Sequence, residues 1–190
     1  MSEKNKRFFK KAAITFGIIL LIICLINMED IRQNFSIFIG IGYITKAIGI
    51  TSIIGFLYDK FIWKIDPTRE YPVFRNAYEG IIKTNYEGKD LQIKIGVTIK
   101  QTFFSLKITL KTEESKSNAI TYKFMEQNGE DVLIFTYLNI PKAEFRVKSD
   151  IHYGTSVLTI NNDKSLDGFY YTDRKTRGDI ILKPIEEINK

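Results

Sequence analysis

The chain has 190 residues with 28 Lys+Arg, 22 Asp+Glu, a formal charge of +6, one cysteine and one histidine. A lone cysteine excludes an intramolecular disulfide framework and a cysteine-cluster zinc site, and a lone histidine excludes paired-His metal motifs, so no metal or cofactor is expected. Residues 1–65 carry nine basic and four acidic side chains, whereas residues 66–190 carry 19 and 18, and this balance argues against a second part that binds nucleic acid polymers through a broad basic surface.

The first apolar run, Ala12–Met28, contains no charge, and with Phe8 and Phe9 it is long enough to cross a bilayer as a helix. A signal peptide is the rival reading, but no small-x-small cleavage site follows and a second span comes at once. That second run, Phe35–Tyr58, holds a single charge, Lys46. The link between them, Glu29–Asn34, is short and polar. Residues 1–65 therefore read as a transmembrane helical hairpin with spans at about 10–28 and 35–58. Five Lys/Arg precede the first span, only Arg32 lies in the link, and Lys60, Lys64 and Arg69 follow the second. The positive-inside rule then predicts a multi-pass membrane protein with both ends, and so residues 66–190, in the cytoplasm. Trp63 and Tyr58 suit the aromatic belt at that exit. Lys46 near the bilayer centre is costly unless it snorkels or faces another helix or a water-filled path. Gly40, Gly42, Gly49 and Gly55 favour close helix approach, with Lys46, Gly42 and Gly49 as candidates for a transmembrane role. Two spans cannot enclose a pore, so any lesion needs several copies.

Beyond Pro67 and Pro72 the period changes to two. Odd positions are apolar from Leu91 to Lys100, and even positions from Phe104 to Leu110. Asn128-Gly129 divides 121–127 from 131–138, a hairpin signal. Further strands are predicted at about 78–84, 144–149, 155–161, 167–173 and 178–183. Residues 66–190 thus read as an all-β domain, an antiparallel up-and-down barrel of about eight strands. Such a barrel is filled by side chains or holds one small ligand.

No P-loop, GxSxG or His/Cys pair is present. The polar and aromatic residues concentrate in the last third. If Leu158 and Ile160 point inward, parity puts His152 and Ser156 on the same side. Tyr170, Thr172 and Arg174 then share one face, and Phe169, Tyr171 and Asp173 the other. Arg174, Thr176 and Arg177 cluster at a strand end. Guanidinium forks, hydroxyls and rings at a barrel mouth suit a ligand made of phosphate and base. The same residues also fit a solvated hairpin tip, and His152 a structural role.

Two spans, then Tyr78-Glu79-Gly80-Ile81-Ile82, then His152-Tyr153-Gly154-Thr155 and Leu166-Asp167-Gly168-Phe169-Tyr170-Tyr171-Thr172-Asp173-Arg174-Lys175-Thr176-Arg177-Gly178 resemble the two-transmembrane, β-strand-rich effectors of CBASS anti-phage systems. The resemblance implies a non-enzymatic effector. Its barrel would bind a cyclic di- or oligonucleotide made by a partner CD-NTase. It would then oligomerise, and its helices would disrupt the inner membrane lipid, causing abortive infection. It also implies a ligand groove carrying His152, Thr172, Arg174, Thr176 and Arg177, with Tyr171 or Tyr137 as stacking surfaces. The alternatives are a membrane-anchored, lipocalin-like carrier of a small hydrophobic ligand, a scaffold recruiting protein through a sheet edge, and an enzyme using His152 as base.

Overall fold

The computed structural model describes the backbone of residues 3–34, 36–69, 71–86 and 89–185, and the side chains of 5–34, 36–69, 71–84 and 91–185. It divides into two compact units, Met1–Pro67 and Thr68–Lys190.

In the first unit, α1 (Glu3–Ile26) is followed by the short α2 (Met28–Asn34) and then by α3 (Ile37–Lys60). By length and composition α1 and α3 are able to cross a membrane. The predicted polar link is therefore itself helical. Glu29 and Asp30 lie in the first turn of α2, where carboxylates complement the helix dipole, and Ser36 caps α3 by accepting from Ile39 N at 3.4 Å. Along α3, Tyr43, Ala47, Thr51, Gly55 and Tyr58 recur at helical spacing. Tyr43 and Ala47 are buried, and a Cβ at Gly55 would touch Phe8 of α1 at 3.6 Å. Tyr43 donates to Asp30 of α2 at 3.3 Å. At the other end Lys11 and Tyr58 donate to the same Asp66 oxygen at 2.6 and 2.5 Å. Early α1 thus lies against late α3, as an antiparallel hairpin requires. Trp63, expected in the interfacial aromatic belt, is buried in a short 3-10 turn, Ile62–Lys64.

The second unit is a closed antiparallel barrel in which each strand pairs with the next and β8 with β1. The strands are β1 (Ala77–Tyr86), β2 (Lys89–Gln101), β3 (Leu106–Lys111), β4 (Ser115–Gln127), β5 (Glu130–Pro141), β6 (His152–Ile160), β7 (Leu166–Thr172) and β8 (Arg177–Pro184). Asn128 and Gly129 adopt φ of 54° and 82°, both in the left-handed region that a two-residue hairpin of the primed type demands. The predicted strand at 144–149 is absent. A 3-10 turn, Ala143–Phe145, opens a loop there, and Val147 is 95% exposed. The alternation of Phe145 and Val147 mimics a strand, but neither residue has a ladder to join.

Alternate residues of all eight strands fill the interior. Tyr78, Ile99, Phe135, Leu133, Leu158, Leu166, Ile180 and Leu182 are among the most deeply buried. Tyr78 accepts from Arg75 N at 3.1 Å, which closes one end. Phe74 at that end stacks on Phe124 with ring centroids 5.8 Å apart. The β3–β4 seam has only three paired residues on each strand, because the β4–β5 register shifts between Ala119 and Thr121. Tyr122 bridges that seam by accepting a hydrogen bond from the Leu106 backbone. Gly80, Gly168 and Gly178 sit where a Cβ would collide with the carbonyls of Ile181, Val157 and Lys83 on neighbouring strands. Close backbone approach of this kind lets a small barrel curl shut.

Candidate functional site

The end of the barrel opposite Tyr78 gathers the polar residues. β1 and β7 end there, and β6 and β8 begin there. Thr84, Ser117, Ser156 and Thr172, all buried, point inward at or below this mouth. Asn139 donates to both Ser115 and Ser117, at 2.9 and 2.8 Å. Thr84 donates to the Arg177 carbonyl at 3.0 Å. Ser156 Oγ is fully buried and has no hydrogen-bond partner among the described residues.

The β7–β8 turn forms the rim. Lys175 takes φ of 62° and its N–H reaches the Thr172 carbonyl at 3.0 Å, so the turn folds back tightly. This brings the Thr172 and Thr176 hydroxyls to 2.6 Å of each other. Arg174 reaches across to the 142–151 loop and donates to Ser149 Oγ at 2.6 Å. Asp173 accepts from Tyr153 N at 3.1 Å, tying the turn to β6. The His152 Nδ1 lies 2.8 Å from the Asp150 carbonyl, which sets the orientation of its ring at the start of β6.

Of the predicted site residues, the structure brings His152, Thr172, Arg174 and Thr176 to one mouth. Tyr171 and Arg177 are register partners on the outer wall, and Tyr171 is 52% exposed. Tyr137 lies inside. It pairs with Gly154, which pairs in turn with Thr172, so the three form one lateral row across β5, β6 and β7. A Cβ at Gly154 would strike the Tyr137 ring. That glycine is therefore the slot through which the ring crosses β6. Burial drives the Tyr137 phenol well above the ordinary tyrosine range, with Tyr170 and Asp173 adding to the effect. Tyr137 thus forms a neutral, hydroxyl-tipped floor under the rim.

Ser149, Asn139 and Ser115 were not singled out from the sequence, whereas Tyr170 was placed on the face of Thr172 and Arg174 but not among the ligand candidates. Ser149 is 25 residues from Arg174 and carries no local signal. Ser156 was placed inward by parity, and it is.

Lys46, Gly42 and Gly49 lie on α3 away from α1. Lys46 is exposed, with its Nζ 5.8 Å from the Tyr43 ring centroid, and a Cβ at either glycine would meet nothing within 4 Å. Of the glycines expected to mediate close approach, Gly55 does so within the hairpin, whereas Gly42 and Gly49 face outward.

An arginine fork, paired threonine hydroxyls and a tyrosine floor can hold an anionic ligand through charge-assisted hydrogen bonds. Comparison with known proteins agrees with that chemistry. Residues 69–184 match the family model described as Cap15, cyclic dinucleotide receptor domain. A relative from Staphylococcus schleiferi, CD-NTase-associated protein 15, is 33% identical over 152 residues, covering 77% of this chain and 81% of its own. The chain belongs to the Cap15 family of CBASS effectors, and its barrel is that family's cyclic dinucleotide receptor domain.

Proposed function

We propose that this chain is a membrane-anchored receptor whose barrel binds a cyclic dinucleotide made by a partner CD-NTase. The bound state oligomerises, and α1 and α3 disrupt the inner membrane so that the infected cell dies. The barrel and the N-terminus face the cytoplasm, and the chain performs no covalent chemistry of its own. The observation that carries this reading is the mouth itself. Arg174 is held by Ser149 beside the Thr172–Thr176 pair, in a receptor domain of this family, joined to two helices of membrane-spanning length. Guanidinium and hydroxyl donors recognise phosphate oxygens, and the His152 ring at the mouth offers a flat surface for a base. An interior filled by aromatic and branched side chains disfavours a lipocalin-like carrier.

Titration calorimetry of the full chain in detergent against a panel of cyclic dinucleotides tests the receptor step. Saturable heat with one or more of them is expected, and silence across the whole panel refutes it. Dye release from liposomes carrying the full chain tests the second step, with release expected only when the binding nucleotide is present.

A further inference from the structure

The outer wall of the barrel is divided by charge. On β2 and β3 the inward positions are apolar and the outward ones from Gln92 onward are Lys94, Gly96, Thr98 and Lys100, then Lys107, Thr109 and Lys111; on β4, whose inner face carries Ser117, Tyr122 and Phe124, the outward positions include Lys116, Asn118, Thr121, Lys123 and Met125. All six lysines are exposed. The register sets Lys100 directly opposite Lys107, and Lys111 directly opposite Lys116. Like charges facing each other across a strand pair destabilise a sheet. Among the described residues none of the six makes an ion pair. Glu113 and Glu114 lie in the β3–β4 turn and Glu126 near the end of β4, off the middle of the wall. Glu79, Asp167, Asp173 and Asp179 point outward from β1, β7 and β8, together with the exposed rings of Phe169 and Tyr171.

A wall of unpaired lysines is a cost without an intramolecular return, and it fits an extended anionic surface. It does not fit a small dianion, which needs a few converging donors rather than separate flexible stems. From this segregation we infer that the β2–β4 wall is a docking face for the anionic headgroups of the membrane in which the hairpin sits. The inference rests on the anchoring part of the proposed function. It is independent of which nucleotide the mouth takes. Charge complementarity selects lipid as the occupant, because the anchor keeps the barrel within a short connector of the bilayer. The cytoplasmic leaflet is also the negatively charged one, and each lysine near it gains attraction that salt screens.

The test uses the full chain in nanodiscs of phosphatidylcholine alone and of phosphatidylcholine with about one-third phosphatidylglycerol. Lysine acylation rates are read residue by residue by mass spectrometry. Lys100, Lys107, Lys111 and Lys116 are expected to label about fivefold more slowly in the anionic discs, equivalent to the roughly 1 kcal/mol a lysine gains at such a surface. That protection disappears in about 0.5 M salt, where the Debye length shrinks to a few ångströms. Lys183 on β8 and Lys164 in the β6–β7 turn, both exposed and outside the wall, serve as unchanged controls. In K107E/K111E the protection of Lys100 and Lys116 is lost. Equal labelling in both discs, with the chain eluting in both, overturns the docking face and leaves the anchor standing. A chain that elutes with neither disc overturns the anchor and this inference together. Protection in neutral discs by added duplex DNA or by a cyclic dinucleotide, without any effect of anionic lipid, assigns the wall to another anion and also overturns it.

Discussion

Replacing Gly154 with alanine tests whether the mouth is built around the Tyr137 ring. The new methyl would land on the ring's outer atoms, and Tyr137, only 6% exposed, lies beside the equally buried Tyr170 and Thr172. The ring cannot swing far without displacing them. Overpacking of this kind costs about 1–3 kcal/mol. For a domain of this size that is a fall in melting temperature of roughly 4–12 °C. Tyr137→Leu alone also destabilises, because it leaves part of the ring volume empty. In G154A/Y137L the added methyl occupies space that the ring has vacated. The double variant should therefore be more stable than the sum of the two singles by at least about 1 kcal/mol, the coupling typical of residues in direct contact. Thermal unfolding of the full chain in detergent, followed by near-ultraviolet circular dichroism, measures all four corners of the cycle. Additive effects, or a Gly154→Ala variant as stable as the parent, would refute the slot-and-ring geometry.

Three further outcomes are expected. Burial raises the phenols of Tyr78, Tyr122, Tyr137 and Tyr170, so above about pH 10 the folded chain keeps protons that the unfolded chain releases. Stability is full below that pH and falls as pH rises, by up to about 1.4 kcal/mol per unit for Tyr137; Tyr137→Phe should move the alkaline unfolding midpoint upward, and an unchanged midpoint counts against a buried neutral phenol. Arg174→Ala should weaken cyclic dinucleotide binding by about 1.5–3 kcal/mol in calorimetry, as loss of a charged hydrogen bond does, and equal affinity would make Arg174 a strut for Ser149 only. Lys46→Leu should leave that affinity intact while lowering nucleotide-triggered dye release, and undiminished release would remove Lys46 from the lesion.

The barrel was legible because two local signals agree. Period-two alternation gave each strand its inner face, and Asn128-Gly129 fixed one hairpin in register, with Gln127 opposite Glu130. That register does not extend along the whole pair. Extended without interruption it would set Asn139 opposite Asn118, but the irregularity between Ala119 and Thr121 slips the pairing by one and sets it opposite Ser117. The Asn139–Ser115–Ser117 network was hidden for that reason. The rim was legible in part. Thr172, Arg174 and Thr176 lie within five residues, so a turn must gather them. The burial of Tyr137 depends on a glycine 17 positions away on another strand, and no local pattern reports that.

The charge of the β domain shows most clearly what composition leaves out. Its 19 basic and 18 acidic residues cancel in a sum, but a barrel does not present a sum to its surroundings. Strand parity forces every second residue outward, and register decides which outward residues become neighbours. Slipping β3 by one would bury Lys107 and Lys111 in the core, so the apolar positions Leu106, Ile108 and Leu110 impose the lysine pairs on the surface. One nearly neutral domain thereby holds two distinct features for anions. At the mouth, Arg174 is half-buried, fixed by Ser149 and set among short hydroxyl contacts, so its attraction is directional and weakly screened. On the β2–β4 wall the ammonium groups are exposed to solvent, so their attraction is diffuse and strongly screened. Raising the salt concentration should therefore release the wall from an anionic surface well before it releases a nucleotide from the mouth, and that order follows from burial alone.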